Sequence, residues 1–255
     1  MTLLDALGRR LARYLSAPRE GHSLLPPTVA EDLSGVLQVG DVLLVEGTSR
    51  VATAIKYLTQ STWSHAALFV GDRCGGEAML IEADVVAGVR LVPLSAFHPL
   101  HARICRPVGL SAADVDALIG FLQARLGYAY DLRNLFDLAR YLVPLPVPGR
   151  WRRRLIALGS GDPTRAICST LLAQAFASIR YPILPEVESI PWRPGAERAR
   201  REILHIRNYA LFVPRDFDVS PYFRIVKPLL DDGFDPHRLA WGDAPRPVES
   251  RPAGA

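Results

Sequence analysis

Short apolar runs separated by polar turns fill the first half of the sequence. Residues 37–47 read as a turn followed by an apolar strand, and two further β-forming runs occupy residues 64–71 and 78–86. Only a short polar turn separates these last two runs, so we expect them to pair as antiparallel strands. Residues 88–97 and 102–108 supply two more short strands. The pattern therefore predicts a small, mostly antiparallel sheet in the middle of the chain.

Helical spacing replaces this pattern in two other segments before residue 130. Residues 49–60 are a short helix candidate. Residues 111–127 carry clearer signals, because Ser111 is suited to the N-cap and Asp114 stands at the capping-box position. Gly127 is a typical helix stop. A helix is therefore predicted between the sheet and the second half of the chain.

A third helix is predicted at residues 166–179, and its apolar stripe begins at Cys168. The Asp162-Pro163 pair that precedes it suits a helix entry. A thiol in the first helical turn lies near the positive end of the helix dipole and near free backbone N–H groups. Both favour the thiolate, which is the reactive form of cysteine. Cys168 is therefore a candidate nucleophile.

The remaining segments are predicted to lie outside this core. Residues 3–16 have the spacing of an amphipathic helix, which either packs on the domain or lies on a membrane surface. Residues 17–30 read as a linker because they contain three prolines and a glycine. A strand is predicted at residues 209–214, and the last twenty residues, with four prolines, as a poorly ordered tail.

Composition narrows the class of protein. The 255 residues are 49% hydrophobic and 22% charged, which is typical of a globular protein, and the net charge of +4 is mildly basic. Zinc-finger spacing and a basic-aromatic stripe are both missing, so we expect no nucleic-acid partner. Three scattered cysteines suggest neither a disulfide framework nor a metal site. With neither a signal sequence nor a membrane-spanning run recognised, we expect a cytoplasmic location.

A nucleophilic cysteine needs a base, and His65 is the best candidate. It stands at the head of the apolar run 64–71, where an imidazole adds nothing that valine would not. A half-buried structural histidine is the ordinary alternative. Of the other histidines, four are predicted in loops and one in an arginine-rich stretch: His22, His98, His101 and His237, and then His205.

The base in turn needs an acceptor that orients it. Glu82 lies inside the apolar run "LIEAD" on the next strand, where an ionised carboxylate is costly without a partner. In a hairpin it can reach His65, fix its tautomer and stabilise its imidazolium form. Asp84 lies on the same face of that strand and is the rival. The conjunction of strand histidine, neighbouring acid and helix cysteine favours a thiol hydrolase.

Five segments together resemble a known family. They occur in the order "VGDVLLVEG", "STWSHAALFVG", "LIEAD", "LGYAYD" and "AICSTLLAQAF". This order resembles the circularly permuted branch of the NlpC-type papain-like cysteine hydrolases, in particular the YiiX-like proteins, which are related to lecithin–retinol acyltransferase-like proteins. In that branch the histidine strand precedes the cysteine helix.

The resemblance implies roles for individual residues. Cys168 would be the nucleophile, His65 the base and Glu82 the third polar residue. Gly127, Tyr130 and Asp131 would represent the family's glycine-tyrosine-aspartate segment. Whether Tyr128 or Tyr130 faces the site stays open. The backbone N–H of Cys168 is the favoured oxyanion donor, and Ser64 and Ser169 are further candidates for contacts with substrate or oxyanion.

The predicted fold is α+β and circularly permuted papain-like, with a central antiparallel sheet on which the nucleophile helix packs. We expect an N-terminal helix and linker at residues 1–30 and a hydrolase domain at 31–215 with an insertion at 141–161. Residues 216–255 would form a partly disordered extension. No metal or organic cofactor is implied, and the oligomeric state stays open.

The predicted activity is hydrolysis of an amide, peptide or ester bond through a Cys-His-Glu triad and an acyl-enzyme. Two alternatives are an acyltransferase or lipase acting on lipids at a membrane surface, and an inert binding module on the same fold. Residues 1–16 and the basic cluster at 150–154 would make the weak membrane contact. The substrate is expected to be a small molecule, a peptide or a lipid.

Overall fold

The computed structural model describes the part of the chain that forms the sheet and its main helices. The described residues are 14, 17, 30–84, 86–98, 100–128, 167–191, 200–205 and 212–227. The helices are α1 (Ala30–Val36), α2 (Arg50–Thr59), α3 (Ala112–Gln123), α4 (Ile167–Ser178) and α5 (Arg215–Val219). The strands are β1 (Val42–Val45), β2 (His65–Gly71), β3 (Met79–Asp84), β4 (Gly88–Pro93), β5 (Ala102–Pro107), β6 (Glu186–Pro191), β7 (Arg200–His205) and β8 (Phe223–Val226).

Six strands form one antiparallel sheet in the order β4-β3-β2-β1-β5-β8. The two central strands, β1 and β2, are almost entirely buried, which explains why their sequences are continuously apolar rather than alternating. Strands β6 and β7 pair separately as a two-stranded antiparallel sheet. The mixture of helices with an antiparallel sheet confirms the predicted α+β class.

Successive side chains along a strand point to opposite faces of the sheet, and each face carries its own hydrophobic cluster. Ala66, Leu68 and Val70 of β2 pack into the larger cluster, together with α3 and α4. Ala67 and Phe69 pack into the smaller cluster. That cluster is closed by α1 and by the 3₁₀ turn Leu94–Phe97. The sheet is therefore covered on both faces over its centre.

Helix α4 packs on β2 and β3, as the sequence predicts for the nucleophile helix. Its apolar stripe buries Leu171, Leu172, Ala175 and Phe176. The Phe176 ring contacts the rings of three other aromatic residues, namely Tyr181, Phe217 and Phe223. This aromatic cluster anchors α4 to the chain segment that carries α5 and β8.

Helix α3 begins with the predicted capping box. The Ser111 hydroxyl accepts from the backbone N–H of Asp114, whose carboxylate accepts from the backbone N–H of Ser111. The helix ends at Gln123 and the chain turns to Gly127, whose φ of +81° is a conformation that favours glycine. Gly127 donates to the Val89 carbonyl, and the Val89 N–H donates to the Tyr128 carbonyl. Two backbone hydrogen bonds thus attach residues 127 and 128 to the outer edge of β4.

Two predictions about the C-terminal third need correction. The strand predicted at 209–214 is wrong over its described part, because Phe212–Pro214 form no strand and lead into helix α5. The domain boundary predicted at residue 215 falls too early for the sheet, because β8 pairs with β5. In the first half of the chain, the strand predicted at 88–97 is too long: β4 ends at Pro93, and a 3₁₀ turn follows it at Leu94–Phe97.

Several predictions lie outside the described residues. These are the amphipathic helix at 3–16 apart from Tyr14, almost all of the linker at 17–30, the insertion at 141–161 with its basic cluster, and the tail from residue 228. Tyr14 is described, and its ring lies 4.3 Å from the Arg50 guanidinium at the start of α2.

Candidate active site

The first residue of β2, His65, forms the centre of the site. Its Nε2 lies 2.5 Å from Oε2 of Glu82 on the neighbouring strand β3. The register places Glu82 opposite Ala67, so His65 and Glu82 are diagonal neighbours on one face of the sheet. The hairpin therefore brings together the two residues that the sequence paired.

The second oxygen of Glu82 is held from the other side by Arg90 on β4. Arg90 lies directly opposite Glu82 in the strand register. Its Nε and Nη2 each lie 2.8 Å from Oε1 of Glu82. Glu82 is buried, whereas the Arg90 side chain is 47% exposed. The carboxylate thus divides its two oxygens between an arginine and a histidine.

Cys168 is the second residue of α4 and is buried, 4% exposed. Its side chain interacts with the imidazole of His65 strongly enough to raise the pKa of that histidine. Because Nε2 of His65 is engaged by Glu82, Nδ1 is the ring nitrogen left for the thiol. The structure therefore brings Cys168, His65 and Glu82 together in the order that a triad requires.

The electrostatics of the site favour a charged imidazole. Burial by itself lowers the pKa of His65, but the interactions with Cys168, followed by those with Glu82, raise this pKa to about 10. Burial by itself raises the pKa of Glu82, yet the hydrogen bond and charge of His65, and then of Arg90, hold that pKa below its usual value. The arrangement thus favours the imidazolium form of His65 beside the Glu82 carboxylate.

Replacing Glu82 with glutamine is expected to change how stability depends on pH. A carboxyl whose folded pKa is depressed stabilises the fold above its unfolded pKa, and this contribution is lost as pH falls through the folded value. The stability advantage of the wild type over Glu82→Gln should therefore shrink as pH falls below about 4.5, the ordinary pKa of a glutamate. Urea unfolding at several pH values measures it, and an advantage that stays constant with pH contradicts the prediction.

Phe97 fixes the His65 ring from the side. The two rings are stacked, with centroids 6.1 Å apart and planes 24° apart. Phe97 ends the 3₁₀ turn after β4 and is itself buried. The stack limits rotation of the imidazole, so that its nitrogens stay directed at their partners.

The Ser64 hydroxyl, a candidate for a substrate contact, forms hydrogen bonds with the backbone just before β2 instead. Its hydroxyl accepts from the Gly47 N–H at 2.8 Å and donates to the Val45 carbonyl. A Cβ at Gly47 would meet the Cβ of Ala52 at 2.9 Å and the Ser64 oxygen at 3.0 Å, so the glycine permits this close approach. The contacts fix the chain immediately before His65.

Trp63, which is almost fully buried, adds a second anchor beside His65. Its indole N–H donates to Asp218 of α5 at 2.9 Å, and Arg103 of β5 donates to the same carboxylate. The Arg103 guanidinium also lies over the Trp63 ring, 4.9 Å from its centroid, and His101 stacks on the ring. Helix α5 is thereby tied to the start of β2.

The other predicted site residues take different places. Ser169 is buried and its hydroxyl donates to the Phe212 carbonyl, which ties α4 to the segment before α5. Tyr128 is exposed on the edge of β4, whereas Tyr130 and Asp131 lie outside the described residues. Asp84 accepts from the backbone N–H groups of residues 86 and 87 and caps the β3–β4 turn.

The sequence reasoning missed Arg90 and Phe97. Arg90 lies in a segment that is predicted only as a strand. Counting residues outward from the turn of the hairpin could have found it. A turn between residues 84 and 88 places residue 90 opposite residue 82, which is the observed register. Phe97 carried no such signal, because its contact depends on the 3₁₀ turn that folds back over the sheet.

One family matches the part of the chain that contains His65, Glu82 and Arg90. Residues 36–141 match the family described as "Permuted papain-like amidase enzyme, YaeF/YiiX, C92 family". The suspected relationship to YiiX-like permuted papain-like proteins is therefore confirmed. So is the prediction of a cysteine hydrolase in general, because the YaeF/YiiX family is one of cysteine peptidases and amidases. Cys168 lies beyond the matched residues.

Among solved structures, the chain is similar to YiiX from Escherichia coli O157:H7, which is described as a metalloprotein. The two are 17% identical, the TM-score is 0.46, and the similarity covers 74% of this chain and 96% of YiiX. No curated protein sequence matches the chain. Among the residues that the structure describes, no three His, Cys, Asp or Glu side chains form a group that could hold a metal ion.

The helices of the described ranges are short. None of them has the length and apolar content needed to cross a membrane. The two longest, α3 and α4, have 12 residues each, against about 20 for a spanning helix.

Proposed function

We propose that the protein hydrolyses an amide bond, with Cys168 as nucleophile, His65 as proton carrier and Glu82 as the residue that orients His65. One observation carries the proposal. The His65 ring is bonded to Glu82, and the side chain of Cys168, in the first turn of α4, interacts with the same ring. The amidase description of the YaeF/YiiX family supports the same reaction.

The reaction begins from a thiolate and an imidazolium. The sulfur of Cys168 attacks the carbonyl carbon, and the C–N bond of the resulting tetrahedral intermediate breaks. The amine leaves with the proton of His65, and a thioester joins the acyl group to Cys168. Neutral His65 then takes a proton from water, whose oxygen attacks the thioester. Breakage of the C–S bond releases the carboxylic acid and restores the thiolate.

The tetrahedral intermediate carries a negative oxygen that needs hydrogen-bond donors. The backbone N–H groups in the first turn of a helix have no acceptor inside that helix, and they lie at the positive end of its dipole. The N–H of Cys168 belongs to this turn in α4. It is therefore our proposed oxyanion donor, and Ser64 and Ser169, whose hydroxyls are engaged elsewhere, are not needed for it.

We favour amide hydrolysis over lipid transfer, which would use the same catalytic groups, because the matched family is described as an amidase. The same mechanism can cleave an amide or an ester. Amides are the first substrates to screen, because the family is described as an amidase.

The first test is the pH dependence of Cys168 alkylation by iodoacetamide. Cys74 is replaced by serine, and Cys105 can stay because its complete burial keeps iodoacetamide out. Burial also raises the pKa of the Cys105 thiol, to which the charge of Asp218 adds. The wild-type site is expected to react rapidly at pH 6. His65→Ala should react at least about 100-fold more slowly there, because a free thiol ionises near pH 8.5.

His98→Ala is the matched control for this experiment, since it removes a histidine that lies after the 3₁₀ turn, outside the triad. Its alkylation profile should equal that of the wild type. Slow alkylation of the wild type at pH 6, unchanged by His65→Ala, would rule out the proposed pair and leave His65 as a structural residue.

A further inference from the structure

Arg90 makes a two-point contact with one oxygen of the triad carboxylate. Its Nε and Nη2 both reach Oε1 of Glu82, and the second oxygen, Oε2, is left for His65. The terminal torsion of a glutamate side chain is broad, so a carboxylate held only by His65 could rotate. A planar guanidinium that donates through two N–H groups defines where that oxygen lies. The contact therefore fixes the direction of Oε2.

The charges around Glu82 also indicate that Arg90 supports the ionised form of this carboxylate. The buried carboxylate faces His65 from β2 and Arg90 from β4, and Asp84 lies 3.8 Å from Nη2 of Arg90. Without the guanidinium, a buried carboxylate gains from binding a proton, and a protonated Glu82 stabilises the imidazolium less. Arg90 contributes to the depressed pKa of Glu82 after His65.

We propose that Arg90 is a positioning residue of the catalytic site, which keeps Glu82 ionised and directs its free oxygen at His65. Arg90 acts through Glu82 and touches neither the reacting sulfur nor the substrate. The inference rests on the proposed function, because it assigns Arg90 a part in activating the Cys168–His65 pair.

The test compares alkylation profiles of Cys168 in the Cys74→Ser protein carrying Arg90→Met, Arg90→Lys or Arg73→Met. Arg73 is the matched control: it forms an ion pair with Asp116, is 40% exposed and lies after the far end of β2. Arg90→Met should shift the acid limb of the profile upward by about one pH unit, a tenfold loss of rate below that limb. Arg90→Lys should shift it less, since a lysine keeps the charge but not the two-point contact.

Each outcome separates the inference from the proposed function. Wild-type alkylation that titrates like a free thiol would end both. An activated wild-type site with an unchanged Arg90→Met profile would overturn only the role of Arg90. An equal shift in Arg73→Met would mean that the shift reflects the loss of one positive charge anywhere on the protein, and it would also overturn the role of Arg90. Should Arg90→Met fail to fold, Arg90→Lys decides, and a profile identical to the wild type refutes the positioning role.

Discussion

Replacing Cys168 with alanine is expected to lower amide hydrolysis by at least about a thousandfold. Removal of the nucleophile eliminates the acyl-enzyme route, and the remaining groups only orient the substrate and polarise its carbonyl. The measurement is kcat/KM for a substrate found in a panel of fluorogenic amides. Circular dichroism should show unchanged helix and strand content, because alanine keeps the helix propensity of this position and removes one atom.

Cys74→Ala is the control for this variant, since Cys74 lies in the turn between β2 and β3 and its sulfur contacts Gln123 of α3. It should keep wild-type activity. Full activity in Cys168→Ala would refute the mechanism and would require another nucleophile. Binding of a panel amide by the wild type without any turnover would favour the inert binding module over the hydrolase.

Replacing Phe176 with alanine is expected to destabilise the fold by about 3–5 kcal/mol. The ring is fully buried and contacts three other aromatic rings, so its removal leaves a cavity as well as lost apolar burial. Urea unfolding of wild type and variant measures the difference in the free energy of unfolding.

Tyr57→Ala is the matched control, because this aromatic residue of α2 is 76% exposed. It should change the free energy of unfolding by less than about 0.5 kcal/mol. A loss below about 1 kcal/mol for Phe176→Ala would mean that the site collapses around the missing ring and that the aromatic cluster does not anchor α4.

The two variants probe one helix in two ways. Cys168, Leu172 and Phe176 recur at a spacing of four residues, so they share one stripe of α4. The buried end of this stripe holds the helix on β2 and β3, and its first turn presents the sulfur to His65. Packing at Phe176 and chemistry at Cys168 are thus connected through a single rigid element.

Periodicity and turn chemistry predicted the elements well where the signals are local. The five strands of the N-terminal sheet and the capping box at Ser111 appear as expected. The sequence also offered Glu82, with Asp84 as its rival, as the partner of His65, because a short hairpin leaves few registers that bury both apolar runs. A carboxylate inside an apolar strand indicates that a polar partner lies nearby, and for Glu82 one such partner is His65.

The failures lie where distant segments meet. Residues 209–214 have the composition of a strand, yet Phe212 packs into the larger cluster and the chain enters α5. Ser64 and Ser169 looked available for a substrate, but their hydroxyls satisfy carbonyl groups at a strand end and in another segment. Buried hydroxyls need partners, and the sequence does not show which neighbours will provide them.

The sequence by itself determined most of the strands and helices between residues 42 and 123 and the helix that carries Cys168, and it singled out Cys168, His65 and Glu82, because apolar spacing, caps and an isolated buried acid are local properties. Only the tertiary structure decided that β8 completes the sheet beside β5, that Arg90 binds Glu82 and that Phe97 stacks on His65. These contacts depend on strand register and on chain segments that pack together only in the folded protein.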